Sequence, residues 1–540
     1  MNGLKPSLRY SILATILVGA ATLAAPAGSQ PPVATKDVQV NGRAAVAKPG
    51  TGNFVQAFVR DLRGRGLEVS VGYPKLYTAA DCVYTYPAFH SCFGNNPASP
   101  YVIPVVKSWP DEYVDPAMAN GFGRTRPGYS STYRLDPQEA IILFGMMPPK
   151  ARYLGLQTWL WTTGWLSDES PWDPAAYDLF SGPAGPLIQY LFATVPGNET
   201  RVQSFSSVDN NINDVVMANA SGPPWDKTRY IVITPDQRMD AAVREALREL
   251  GVVDDEIFTE GIPASFQGAP VGPLGLDDTA ADFVTLVRYA MPEDEQAAEA
   301  WRKSLPLTVL RVRLPSTAGE PVPYGNHDAD ERTAEDESYL SNALESLVGA
   351  VTERAASQGL QRQTDEPMID LLEDLGQFGP DCRAIGMNCL GDNQDASYFL
   401  FAPKPLDTGK IYAVVGTLAT QTGNGTYVGL SVNDASLLKG VTNISDAELE
   451  GSANGYGGFD EFFVHFFTRN CDAIADLANG ACTTISTDMV PLADDDKAPG
   501  DASLHGMFSA AVRTYVKPGS ERGPDSNLQL RPHVLTFYFQ

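Results

Sequence analysis

The chain's densest grouping of polar side chains runs from Asp381 to Tyr398, where Cys382 and Cys389 bracket a short loop that leads into Gly391, Asp392, Asn393, Gln394 and Asp395. In an oxidising compartment a disulfide between cysteines this close would staple the loop and hold two carboxylates and two amides against the apolar run from Tyr398 to Phe401. Carboxylates held in this way could divide general acid and general base work, as glycoside hydrolysis requires, which makes Asp392 and Asp395 catalytic candidates. With Asn393 and backbone oxygens they could instead hold calcium, although the DxxD spacing matches no calcium-loop pattern. The same residue types also make ordinary tight turns, because Asp and Asn bond their own backbone.

A second acid candidate is Glu461, with Asp460 beside it. In the strand expected from Phe459 to Thr468, Glu461, His465 and Arg469 share a face with Phe463 and Phe467, which suits a cleft wall. A histidine satisfied inside a core is the competing reading of His465. For ligand binding, the run Tyr153 to Thr162 is the informative one. As a strand it sends Leu154, Leu156, Thr158 and Leu160 to one face, and Tyr153, Gly155, Gln157, Trp159 and Trp161 to the other. The leucine face is enough for a core. The second face, with Trp165 and Trp172 close behind, meets either another sheet or an apolar or sugar ligand. Arg134, clustered with Arg124 and Arg126 among glycines and tyrosines, could fork onto an anionic group or pair with acids on the surface.

Absent motifs narrow the chemistry. There is no GxSxG, HExxH, GxxxxGK[ST] or CxxC, and the five histidines at 90, 327, 465, 505 and 533 have no metal-pair spacing. The strand-to-helix turn Thr234-Pro235-Asp236-Gln237 has no glycine to let a phosphate approach the backbone, so a nucleotide site there is not expected. No haem signature is found either, and calcium is the one cofactor for which the sequence offers ligands. The formal charge of −26 disfavours nucleic acid and anionic lipid as partners.

The elements that must position these residues begin after an export signal. Lys5 and Arg9 precede an apolar run from Ile12 to Leu23, and Ala25-Pro26-Ala27 fits signal cleavage, giving a secreted or periplasmic protein with no later membrane span. The six cysteines form three close pairs, Cys82 with Cys92, Cys382 with Cys389 and Cys471 with Cys482, which fits local disulfides. Residues 28–52 read as a flexible tether, 53–228 as a β-rich domain, 229–315 as an α/β layer, 316–380 as an acidic connection with a helix, and 381–540 as a disulfide-stapled β-rich domain. Within the α/β layer a strand at Tyr230–Thr234 precedes a helix carrying Met239, Val243, Ala246, Leu247 and Leu250 on one stripe. A second helix is expected from Asp278 to Ala290, and a hairpin turn at Thr422-Gly423-Asn424-Gly425. The expected fold is α+β and multidomain, two sandwich-like β-rich regions flanking a small α/β layer. The expected function is binding of a small organic or carbohydrate ligand in an aromatic, acid-lined cleft, with carboxylate-dependent hydrolysis or elimination as its enzymatic form. A non-catalytic extracellular binding or adhesion protein and a calcium-stabilised structural module are the alternatives, and the oligomeric state stays open.

Overall fold

The computed structural model describes residues 51–164, 194–195 and 198–539, apart from 95, 116–117, 119–120, 316–318, 375, 377, 385–387 and 496. The signal, the tether up to residue 50, Trp165 and Trp172 lie outside these residues, while residues 51–52 of the expected tether open the helix Thr51–Gly64. The architecture is mixed α+β, with strands distributed over several sheets.

In the N-terminal half a five-stranded sheet runs, edge to edge, through Glu68–Val71, Leu307–Arg313, Glu139–Met146, Thr228–Thr234 and Ile257–Gly261. The last two strands are parallel and are joined by the helix Gln237–Glu249. Asp236 starts that helix by accepting the Arg238 N–H, which satisfies one of the free donors of its first turn. Its buried stripe of Met239, Val243, Ala246 and Leu247 packs with Phe58 and Leu62 of the helix Thr51–Gly64 on Ala140, Ile142, Val232 and Leu310. Alternate residues of the same strands, Ile141, Leu143, Ile231 and Val309, point the other way and meet Leu154, Leu156 and Leu160 of a second, eight-stranded sheet. That sheet is ordered Tyr73–Tyr77, Tyr101–Lys107, Asp282–Pro292, Ala151–Gly164, Asn198–Ser207 and Thr194–Val195, with two short strands paired at its side. Strands from residues 53–228 and 229–315 thus interleave in both sheets.

The C-terminal half holds two five-stranded sheets. One contains Leu360–Pro367, His533–Phe539, Lys410–Thr417, Phe462–Thr468 and Cys482–Thr484; the other contains Ile369–Asp370, Ala396–Pro405, Met507–Tyr515, Tyr427–Asp434 and Lys439–Ser445. Val414, Phe463 and Val534 of the first share a core with Phe401, Leu430 and Val512 of the second. The outer face of the first sheet is covered by Leu344, Leu347, Val348 and Val351 of the helix Ser341–Ser357.

Two local expectations are corrected. Residues 278–290 are not a helix: Asp282–Pro292 is a strand in the middle of the eight-stranded sheet. Both of its faces are buried, because Phe283 and Val287 enter the inter-sheet core while Val284 and Leu286 enter the aromatic cluster beyond, and a run buried on both sides carries no usable period. The turn near Gly423 does not close a hairpin either. Lys410–Thr417 and Tyr427–Asp434 belong to different sheets, and a short helix, Ala419–Thr422, lies between them. The three local disulfides are present, with Cα separations of 5.3, 5.6 and 5.9 Å, which fits an oxidising compartment. Among the described residues no helix is long and apolar enough to cross a membrane.

Candidate functional site

The stretch from Asp381 to Tyr398 lies where the two halves meet, and its polar groups hold them together. The Cys389 and Gly391 N–H groups donate to the Ser204 and Phe205 carbonyls at 2.7 and 2.9 Å, docking the stapled loop on the strand Asn198–Ser207. Gly391 has φ +69°, and a Cβ there would lie 2.6 Å from the Phe205 ring, so the turn requires glycine twice over. The buried Asp392 carboxylate accepts the Ser207 N–H at 2.7 Å, the Ser207 hydroxyl at 2.6 Å and the Gly379 N–H at 2.9 Å. Burial pushes its pKa up and these donors oppose the shift. Asp395 accepts the Tyr153 hydroxyl and the Asn213 amide, each at 2.9 Å. Gly155 makes room for this, because a Cβ there would collide with the Tyr153 hydroxyl. The Asn211 amide donates to Asn393 at 2.6 Å. Each carboxylate is thus enclosed among its own donors rather than facing open space with the other.

The remaining sequence candidates are dispersed. Trp159 and Trp161 are both fully buried, packed with Phe89, Phe93, Phe122 and Phe205; their indole N–H groups donate to the Asp392 carbonyl at 2.7 Å and the Met118 sulfur at 3.2 Å. Gln157 donates to the Asp209 carbonyl at 3.3 Å. Arg134 is buried beside Asp282, which also pairs with Arg201, so its charge is held inside an ion cluster. His465 is buried against Thr483, at 2.8 Å, and desolvation pushes its pKa down to about 4. Glu461 precedes the strand Phe462–Thr468, its carbonyl taken by the Leu418 N–H at 2.7 Å. Among the described residues no three of His, Cys, Asp or Glu converge as metal ligands.

What the meeting of the halves does create is a cavity of about 50 Å³ whose lining includes Ser99, Tyr101, Arg288, Tyr398, Arg513 and Tyr515. Each arginine sits mid-strand beside a tyrosine on the neighbouring strand: Arg288 opposite Tyr101 in the eight-stranded sheet, Arg513 opposite Tyr398 in the C-terminal half. Arg288 is 6 % exposed, donates to the Gly391 carbonyl at 3.2 Å, and lies over the rings of Trp159 and Tyr101 at 4.6 and 5.4 Å. Arg513 donates to the Gly94 carbonyl at 2.7 Å, while its Nη1 is buried with no partner among the described residues. The Ser99 hydroxyl is likewise buried and has no partner among these residues.

Among the described residues neither arginine has a carboxylate within ion-pair distance, and the acid that lines the cavity there, Asp392, accepts its hydrogen bonds from Ser207 and Gly379. Burying an unpaired cation such as Arg288 costs several kcal/mol, and its cation–π contacts return roughly 2 kcal/mol. The balance favours an anion in the cavity. Burial raises the Tyr398 and Tyr515 pKa values, so both phenols remain protonated donors. The rim residues Leu371, Leu390, Tyr398 and Arg513 are half-buried, which gives the cavity its open side. A larger cavity of about 400 Å³, lined mainly by apolar residues such as Leu160, Val202 and Pro270, has Arg383 as the sole basic residue in its lining among the described residues. The sequence reading missed Arg288 and Arg513; the available signal was a single arginine inside each of two predominantly apolar strands.

No family model and no curated protein matches the chain. Among solved structures it is similar to an uncharacterised protein from Burkholderia cenocepacia, with 9 % identity over 90 % of this chain and 96 % of that one at a TM-score of 0.33. It is also similar to a structural-genomics protein from Vibrio parahaemolyticus, with 11 % identity over 75 % and 87 % at a TM-score of 0.29.

Proposed function

We propose that this is an exported binding protein, its signal removed near Ala27, that holds a small organic ligand by an anionic group in the cavity between its interleaved N-terminal sheets and a sandwich-like C-terminal half. The observation that carries the reading is the pair Arg288 and Arg513, two guanidinium groups lining one cavity with no carboxylate within ion-pair distance of either among the described residues. The reading keeps a small-molecule ligand and moves the recognition chemistry from paired acids to paired arginines. Binding is favoured over carboxylate-dependent turnover because Asp392 and Asp395 are both enclosed by protein donors. A neutral sugar ring is disfavoured, since a single water needs roughly 10–15 Å³ on the scale that gives this cavity about 50 Å³.

Thermal unfolding in the presence of acetate, benzoate, glucuronate, phosphate and glucose tests it. A ligand at 100 times its Kd stabilises by about 2.7 kcal/mol, enough to read as a rise in Tm. The expected result is stabilisation by one or more anions and not by glucose, lost in Arg513→Gln. Equal anion effects on the parent and Arg513→Gln, or stabilisation by glucose alone, would overturn it.

A further inference from the structure

We infer that the group held between Arg288 and Arg513 is a tetrahedral oxyanion with two negative charges, a phosphate or sulfate that is either free or the end of an organic molecule. This rests on the anion-binding reading and narrows it. Charge is the first argument: two permanent cations line the cavity, and among the described residues no acidic side chain pairs with either, so a dianion balances the site where a monocarboxylate leaves one cation over.

Geometry is the second argument. The donors come from opposite sides, Arg288 and Tyr101 from the eight-stranded sheet, and Arg513, Tyr398 and Tyr515 from the C-terminal half, with the Ser99 hydroxyl as a further contributor. A carboxylate has two oxygens in one plane with about four lone-pair sites, fewer than these six residues can serve. A tetrahedral group has oxygens in several directions, and arginine forks match it well. Two donors are free for it: Arg513 Nη1 and the Ser99 hydroxyl are buried and have no hydrogen-bond partner among the described residues. Size is the third argument. At roughly 10–15 Å³ per water the cavity of about 50 Å³ takes a group of a few heavy atoms, and the half-buried Leu371 and Leu390 leave an apolar exit for whatever the group is attached to.

The test is isothermal titration of the full-length exported protein with sulfate, inorganic phosphate, phenyl phosphate, acetate and benzoate. Sulfate and at least one of the phosphates are expected to bind at least tenfold more tightly than acetate. Tighter binding of phenyl phosphate than inorganic phosphate assigns the site to an organic ester; the reverse assigns it to the free ion. Phenyl phosphate should bind more tightly as pH rises from 5.5 to 7.5, because a monoester loses its second proton near pH 6, while sulfate stays flat. Arg513→Gln should weaken binding at least tenfold. Tyr398→Phe, which removes the hydroxyl and leaves the ring, should weaken it severalfold with an unchanged Tm. If acetate or benzoate binds as tightly as sulfate and phosphate, the tetrahedral dianion is overturned and the anion reading survives. If no anion binds, both fall.

Discussion

Glu260 lies at the end of the strand Ile257–Gly261, 1 % exposed, between the two N-terminal sheets. Its carboxyl group meets the Thr158 N–H at 2.6 Å and the Thr158 hydroxyl at 2.5 Å, and from there a chain of hydroxyls passes through Thr285 to Tyr133. Desolvation dominates over these hydrogen bonds and pushes its pKa from 4.5 up to about 8. The folded state therefore keeps a proton that the unfolded chain releases. The contribution is fully present below pH 4.5 and is lost as pH rises through about 8, where the displaced pKa corresponds to roughly 5 kcal/mol. A domain is stable by only about 5–15 kcal/mol, so the loss is large. Glu260→Gln keeps an acceptor for the Thr158 N–H and a donor for its hydroxyl but cannot ionise. Urea unfolding of parent and variant at pH 5 and pH 9 is the assay. Other groups titrate in the same interval, including Asp214, raised to about 6, but they are common to both proteins. The variant should lose less stability between the two pH values than the parent, by several kcal/mol. Parallel pH dependence in the two proteins would refute the buried, protonated carboxyl.

Trp161→Ala should cost roughly 3–5 kcal/mol in unfolding experiments, because the indole is enclosed by Phe89, Phe93, Phe122 and Phe205; a nearly unchanged Tm would return that face to the list of ligand platforms. Asp392→Asn should destabilise by about 1–3 kcal/mol, since the new amide must turn an N–H toward the donors of Ser207 or Gly379; an unchanged unfolding curve would show those bonds to be dispensable.

Where a segment's two faces meet different surroundings, the sequence carried the information. The run Tyr153–Thr162 alternates leucine against tryptophan, and its leucines do enter one core while its tryptophans enter another. The helix Gln237–Glu249 was legible for the same reason, with one apolar stripe and a capping Asp236. Asp282–Pro292 was not, because both of its faces are buried and its period disappears. The stapled stretch could be recognised as a crowded polar segment, but its use at the junction of the halves could not. Whether Asp392 faces a ligand or the backbone of Ser207 depends on which strand docks there, a contact between residues distant in the chain. The arginine cavity was hidden for that reason as well. Arg288 and Arg513 belong to different halves, and only the packing of one half on the other brings them to a common space.

The most direct measurement is an anomalous-difference map from a crystal of the protein soaked in selenate, a sulfate mimic whose selenium can be located without ambiguity. The account predicts a selenium peak roughly 4 Å from both the Arg288 and Arg513 guanidinium carbons, in reach of the Tyr398 and Tyr515 hydroxyls, and absent in Arg513→Gln. A cavity that holds only water, with selenate bound elsewhere or nowhere, would contradict it.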